Sequence, residues 1–404
     1  MSAPQRCAAV VVGAGPAGLA VMGNLLEKQL GGKIVWVDPY FQGGRVDRKY
    51  REVPRLVFLR LAGCNTKVAL FQAFATAVQP FRSVINSTRI PNAFSTMAKL
   101  DQEKTCHLHH AADIVKALTD GLLKMDQVHA CRGHVTAANL DNARSWTVRI
   151  KHLDSLDEVE VKTSRLILCT GSSPTEAPVP VSEDSVQRLH LDVVLKPSEL
   201  ASTLPHDTPC TVAVIGASHS AILALLNLVD LARTSHPHLR IKWFTRHPLR
   251  YAEYMDGWIL RDNTGLKGRA ADFARQQLED TALPTSEAGQ FITKIDCSAD
   301  QETAQYHEHL PSCSYFVQAI GYTRDPLPEL SLNGSLLSPE LKWDSSIGGF
   351  TDAQDRVVPG LHGAGIAFPE RVVDPCGNVE HAVGFFKFMK FLKRVCPQWA
   401  AAAA

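Results

Sequence analysis

Val10-Val-Val-Gly13-Ala-Gly15-Pro16-Ala17-Gly18, followed by Ile34-Val-Trp-Val37-Asp38, decides the fold of this chain. The first run is apolar and β-branched, the pattern of a buried strand. A glycine turn follows, then a helix, then a second apolar strand ending in a carboxylate. Gly13 permits the tight turn out of the strand, Gly15 leaves the backbone open to a pyrophosphate, and Gly18 lets the helix close on the sheet. Through Pro16 and Ala17 the turn passes into the helix, whose N-terminus offers free N–H groups and a positive dipole end to phosphate. Asp38 stands about 20 residues on, where it can accept hydrogen bonds from an adenosine ribose. The combination predicts a bound dinucleotide; the alternative is a glycine turn without a ligand.

The bulk properties narrow the class. A chain of 404 residues is longer than one core usually serves, so two domains are expected. Its 45% hydrophobic and 21% charged residues are ordinary for a globular protein, and its formal charge of +1 points to neither nucleic acid nor an anionic membrane. No apolar run reaches the length of a membrane span. The first residues lead straight into a strand, which leaves no room for a signal peptide. Ten scattered cysteines without a C-x-x-C pair suggest reduced thiols in a cytoplasmic protein, and neither a redox disulfide nor a zinc cluster. His107-Leu-His109-His110 has metal-like composition but no companion cluster, so it reads as a helix start, and no metal is expected. The expected partner is a small-molecule substrate; homo-oligomerisation stays open.

Along the chain, residues 40–100 are irregular and basic, with a short helix at 71–78. Helical spacing of Ile114, Leu118, Leu122 and Met125 marks an amphipathic helix at 107–125. Alternating segments at 128–135, 146–152 and 158–169 read as a small meander whose last strand returns to the main sheet. Prolines punctuate 172–180. A second β-α-β unit follows: a strand at 211–215, a turn at 216–221, a helix at 222–233 and a strand at 239–245. Further strands are expected near 291–295, 315–320 and 360–367, a polar helical stretch at about 260–280, and a closing amphipathic helix over 379–395. The architecture is α/β, a Rossmann-like nucleotide-binding domain with a second Rossmann-like domain inserted: residues 1–175 and 321–404 form the first, and 176–320 the second.

With these landmarks the chain resembles the two-dinucleotide-binding-domain flavoproteins, FAD enzymes related to the disulfide reductases and the class B N-hydroxylating and flavin-containing monooxygenases. The resemblance implies that the first turn and Asp38 hold the FAD adenosine and pyrophosphate. Cys169-Thr170-Gly171 looks like the Ala-Thr-Gly motif that links the two domains. Gly216, Ser218, His219 and Ser220 lie in the turn where NAD(P)H would sit. Gln318-Ala-Ile-Gly321-Tyr322 is similar to the Ala-x-Gly-Tyr strand end of the monooxygenases. There are departures. Ser218 replaces the second glycine, putting a side chain where the backbone approaches pyrophosphate, although a serine hydroxyl can bond phosphate. Gly365-Ile366 lacks the acid that follows this glycine in the reductases. That lack, and the missing C-x-x-C, move the chain towards the monooxygenases.

Further residue roles follow from this resemblance. The second unit ends its strand in Arg246-His247 rather than a carboxylate, which favours NADPH over NADH, because a guanidinium fork suits a 2′-phosphate. The implied activity is NADPH-dependent oxygenation of a small molecule through a flavin C4a-(hydro)peroxide. A flavin-dependent reductase or oxidase without oxygen transfer, and a non-enzymatic redox sensor, are the alternatives. Gly43 and Gly44 fit a backbone packed beside the cofactor. Arg45 is the candidate anion contact in a stretch otherwise read as a solvated face, and Asn65 and Thr66 are candidate flavin contacts. The closing helix would point its N-terminus at the flavin, placing Asn378 and Val379 against it and making His381 and Asn378 the catalytic candidates.

Overall fold

A computed structural model describes residues 4–52, 67–104, 106–155, 157–182, 185–298, 300–337 and 340–401. Strand β1 (Ala9–Val12) enters the first glycine turn, α1 (Pro16–Glu27) leaves it, and β2 (Ile34–Val37) returns parallel to β1. The chain then forms α2 (Gly44–Arg48), α3 (Leu108–Leu122) and β3 (Val128–Cys131), which extends the same sheet beside β2. The meander comprises β4 (Gly133–Leu140), β5 (Trp146–His152) and β6 (Glu158–Thr163), and β7 (Leu166–Leu168) pairs parallel with β1.

Strand β8 (Ser172–Pro174) leads to the second unit. After the short α4 (Leu191–Val194), β9 (Cys210–Ile215), α5 (His219–Thr234) and β10 (Leu239–Thr245) repeat the first β-α-β arrangement. Strands β11 (Ile292–Asp296) and β12 (Tyr315–Gln318) flank them in a parallel sheet. Strand β13 (Tyr322–Arg324) returns antiparallel to β8, and β14 (Val357–Gly363) joins the first sheet beside β7. The helical stretch expected at about 260–280 covers Gly268–Phe273 and runs on as a π-turn over Ala274–Leu278.

Each central strand is buried on both faces, and its side chains divide by alternation. In the first unit Ala9, Val11, Ile34 and Trp36 join the core under the helices, while Val10, Val35 and Val37 face Trp146, Val148 and Ile150 of the meander. In the second, Val212 and Val214 pack under α5, whereas Ala213 and Ile215 meet Phe244 and Phe316 on the opposite face.

The closing segment corrects the sequence expectation. Residues 370–382 are a hairpin of β15 (Glu370–Val373) and β16 (Val379–Ala382), and the helix α6 spans Phe385–Ala401. The Asp374 carboxylate accepts from the Cys376 and Asn378 amides and closes a side-chain turn. Gly384, at φ 149°, then reorients the chain into the helix. Phe385, Phe388, Met389, Leu392, Val395, Cys396 and Trp399 form its buried stripe. Among the described residues no single helix is long and apolar enough to cross a membrane.

Candidate functional site

The two units carry the same turn, held by the same bonds. Gly13 N–H donates to Val37 O at 2.7 Å, and Gly216 N–H to Phe244 O at 2.9 Å. The indole of Trp36 donates to Gly13 O at 2.9 Å, and that of Trp243 to Gly216 O at 2.8 Å. Gly13 and Gly216 have φ of 102° and 125°, and a Cβ on either would strike the Cys169 or Ala319 carbonyl of the neighbouring strand. Each tryptophan, on the second strand of its unit, thus locks a turn whose helix points free N–H groups outward.

The first turn opens on a cavity of about 520 Å³ lined by Gly13, Gly15, Pro16, Ala17, Asp38, Arg45, Thr170, Gly171 and Gly365, among others. Its floor is bare backbone. A Cβ on Gly15 would meet only Gly44 Cα, at 3.9 Å, and one on Gly44 would lie 2.9 Å from Gly15 Cα. Gly18 sits behind, where a Cβ would drive into Gly13 O. Asp38 accepts from Ala14 N–H at 2.7 Å and from the Tyr40 and Phe41 amides at 2.8 and 2.7 Å, which fixes its carboxylate at the cavity edge. Among the described residues, the buried hydroxyls of Thr170 and Ser172 have no protein partner. Buried hydroxyls normally have one. Two orphans beside a glycine floor, a helix N-terminus and a fixed carboxylate fit a long polar ligand such as a dinucleotide.

The second turn opens on a cavity of about 260 Å³ lined by Gly216, Ser218, His219, Ser220, Arg246 and Lys267, among others. Ser218 does not serve as expected. Its hydroxyl donates to Ala319 O at 2.8 Å and accepts from Ala221 N–H at 3.4 Å, capping α5. Its one proton is committed inside the turn, so a phosphate would meet the backbone N–H groups rather than this hydroxyl. His219 is half-buried, and its enclosed Nε2 has no partner among the described residues. Burial, with Lys267 nearby, pushes its imidazole down to about 3, so the ring is neutral. Arg246 contacts Glu302 at 3.4 Å, and Glu302 accepts from the Tyr306 hydroxyl at 2.7 Å. The second strand lacks an acid of its own, but the chain brings one there from 56 residues on.

Other expected residues fall elsewhere. Asn65 and Thr66 lie outside the described residues. Asn378, Val379 and His381 are exposed in the β15–β16 hairpin and line neither cavity; the helix turn that was to aim them at a cofactor is a strand. Asn378 instead donates to Asp374 at 2.8 Å. Phe388, in the first turn of α6, is what reaches the first cavity. Arg45 is no solvated charge: it pairs with Asp192 of the second unit while lining the first cavity.

Several lining residues were not anticipated. The Arg48 guanidinium stacks 3.6 Å from the Tyr40 ring centre at the Asp38 end. His134 and Thr136 come from the meander, and Asp325 accepts from Ser173 Oγ at 2.6 Å. The aromatic–basic pair flanking Asp38 was visible in sequence, but only the fold shows that it faces the cavity.

Two like turns, each opening on its own cavity, in units joined by a pair of linking strands, define a protein of two Rossmann-like nucleotide-binding units. Over 403 residues the chain is 69% identical to the monooxygenase AgnR1 of Paecilomyces divaricatus, covering all of both chains. The chain belongs to the family of that monooxygenase. No family model matches it. Among solved structures, the ornithine N-hydroxylase of Kutzneria sp. 744 superposes with a TM-score of 0.64 at 13% identity, and the ornithine hydroxylase of Pseudomonas aeruginosa with 0.62 at 11%. The bacillithiol disulfide reductase of Staphylococcus aureus gives 0.56 at 12%. Each of the three matches covers 99% of this chain and 100% of the other, and at these identities they show the fold.

Proposed function

We propose that the chain is an FAD-containing, NADPH-dependent monooxygenase of a small molecule, working in the cytoplasm. The observation that carries the reading is the first cavity: bare Gly15 and Gly44 backbone, the α1 N-terminus, Asp38, and the Thr170 and Ser172 hydroxyls, unpartnered among the described residues, around one space. The N–H groups at Ala17 and Gly18 would hold the FAD pyrophosphate, Asp38 the adenosine ribose, and the Tyr40–Arg48 stack would flank the adenine. Thr170, Gly171 and Gly365 line the same cavity. In the second cavity the N–H groups at His219 and Ser220 would take the NADPH pyrophosphate, and Arg246 its 2′-phosphate. Sheet membership supports a division at about 175 and 320.

With both cofactors bound, the reaction draws its electrons from NADPH and its oxygen from O₂. The chain binds, orients and excludes water. The neutral His219 adds no charge of its own beside the nucleotide, and the dipole of α5 favours the phosphates.

The test is the purified protein itself. It should carry releasable FAD, show a flavin spectrum, and bleach anaerobically with NADPH faster than with NADH. A colourless protein with no affinity for FAD would overturn the proposal. Bleaching by neither nucleotide would leave a flavoprotein without the NADPH step.

A further inference from the structure

The two units are joined by β8 and β13, which pair only with each other: Ser172 opposite Arg324, Thr323 opposite Ser173, Tyr322 opposite Pro174. Two short linking strands form a hinge, and units joined in this way move relative to one another unless their interface prevents it. One buried cluster spans the hinge. Asp192, on α4 of the second unit, pairs with the Arg45 guanidinium and accepts from the Tyr50 hydroxyl at 2.8 Å. Arg45 also donates to the Tyr50 oxygen at 3.2 Å and to Ser173 Oγ, on β8, at 3.4 Å. The Tyr322 hydroxyl, on β13, lies 3.5 Å from that of Tyr50. Asp192 is 3% exposed and Tyr50 1%. Burial first, and the neighbouring groups after it, push the Tyr50 hydroxyl far up, so it stays a protonated donor.

One carboxylate therefore ties together the first unit, the second unit and both hinge strands. The cluster also sits between the cavities, since Arg45 lines the first and Tyr322 the second. A buried ion pair adds little net stability over apolar packing, but its geometry is exacting and losing one partner is costly. It is better suited to fixing an angle than to holding a fold. Among the described residues, further polar contacts between the units include Glu380, which accepts from Thr264 Oγ1 at 2.7 Å, and Lys387, which reaches Asp262 at 2.6 Å, both on the side of the second cavity, and exposed Glu52, which accepts from the Ser198 amide and hydroxyl at 3.0 and 2.7 Å.

We propose that Asp192, through Arg45, Tyr50 and Tyr322, is a positioning residue that latches the hinge and sets the angle at which NADPH meets the flavin. The inference rests on the function proposed above. The step concerned moves a hydride, one proton with two electrons, from the nicotinamide to the flavin and leaves NADP⁺. Such a transfer needs the reacting atoms about 3–3.5 Å apart, and a displacement of about 1 Å costs on the order of a hundredfold in rate.

The experiment compares flavin-loaded wild type, Tyr50→Phe and Asp192→Asn by anaerobic rapid mixing with NADPH and with NADPH deuterated at the transferred position. The expected result is a limiting flavin-reduction rate lower by about tenfold or more, with a larger H/D rate ratio. The dissociation constant for NADP⁺, read from the flavin absorbance, should stay within about twofold, and flavin content should not change. Looser packing alone would lower the melting temperature without moving the isotope ratio. Tyr50→Phe removes one oxygen and decides the matter if Asp192→Asn does not fold. Limiting rates within about twofold of wild type, or a loss confined to NADP⁺ affinity, would overturn the inference while leaving the NADPH reading intact. A wild type that no nicotinamide reduces would overturn both.

Discussion

Replacing Gly15 with alanine should separate the fold from the cofactor. Gly15 has φ −76° and ψ −176°, extended backbone that any residue adopts. An added Cβ meets only Gly44 Cα, at 3.9 Å, an ordinary contact. The folded protein without cofactor should therefore tolerate the change and gain about 0.4–1 kcal/mol from the stiffer unfolded chain. A pyrophosphate lying on this backbone would meet the new methyl. Forcing a methyl into a close-packed contact costs about 1–3 kcal/mol, which is roughly five- to a hundredfold in FAD affinity. The assay measures bound flavin per chain after dialysis against fixed FAD concentrations, together with thermal unfolding without and with added FAD. Gly15→Ala should unfold at or slightly above the wild-type temperature without FAD and gain less from added FAD. The control is Gly13→Ala, at φ 102° with the Cys169 carbonyl in the way, which should destabilise the chain with or without FAD. Full FAD affinity in Gly15→Ala, or a lower melting temperature without FAD, would refute the placement of the ligand on this turn.

Glu302 shares Arg246 with any 2′-phosphate bound there, and half-exposed pairs of this kind are worth about 0–1 kcal/mol. Glu302→Gln should lower the KM for NADPH about two- to fivefold and leave that for NADH unchanged; a reduced preference for NADPH would place the 2′-phosphate elsewhere. His362 is half-buried and stacks on Trp399, ring centres 4.6 Å apart, and the desolvation of its enclosed ring nitrogens pushes its imidazole down to about 3. The unfolded chain takes up a proton below about 6.5 that the folded chain refuses, so this site gives stability above that pH and loses it as pH falls towards 3. His362→Phe keeps the stack. Between pH 6 and 4.5 its stability, followed by denaturant titration, should fall less steeply than wild type, by about 1.4 kcal/mol per pH unit. An unchanged slope would mean that the imidazole is protonated in the fold.

What could be read in advance was local. The first turn, Asp38, the meander and the second β-α-β unit follow from spacings of a few residues, and the structure has each of them. The closing helix was misplaced for a local reason too. Val379, Ala382, Phe385 and Phe386 satisfy a helical period, whereas the structure buries Glu380 and Ala382 on one strand face and leaves Val379 and His381 on the other. Asp374 and Gly384 settle the competition by closing a hairpin before the helix can begin. The Arg45–Asp192 pair could not have been read at all, because 147 residues separate its members and neither lies in a motif.

The second turn shows why a motif can depart from its consensus and keep its form. In Gly-x-Gly the middle glycine avoids a side chain over the phosphate site, so Ser218 suggested an obstructed turn. The structure holds Ser218 at φ −74° and ψ 171°, nearly the backbone of Gly15, and folds its hydroxyl back onto the Ala319 carbonyl and the Ala221 amide. The side chain caps the helix while Trp243 holds the first glycine as Trp36 does in the first unit. That tryptophan repeats in the sequence as Ile34-Val-Trp36-Val and Ile241-Lys-Trp243-Phe, and it marks a turn kept rigid from behind. Rigid support makes the backbone N–H groups, rather than the residue at the middle position, the element that the two turns share. The difference between the cavities then comes from what faces those groups: Asp38 at the end of the first second-strand, and Arg246 with Glu302 at the end of the other.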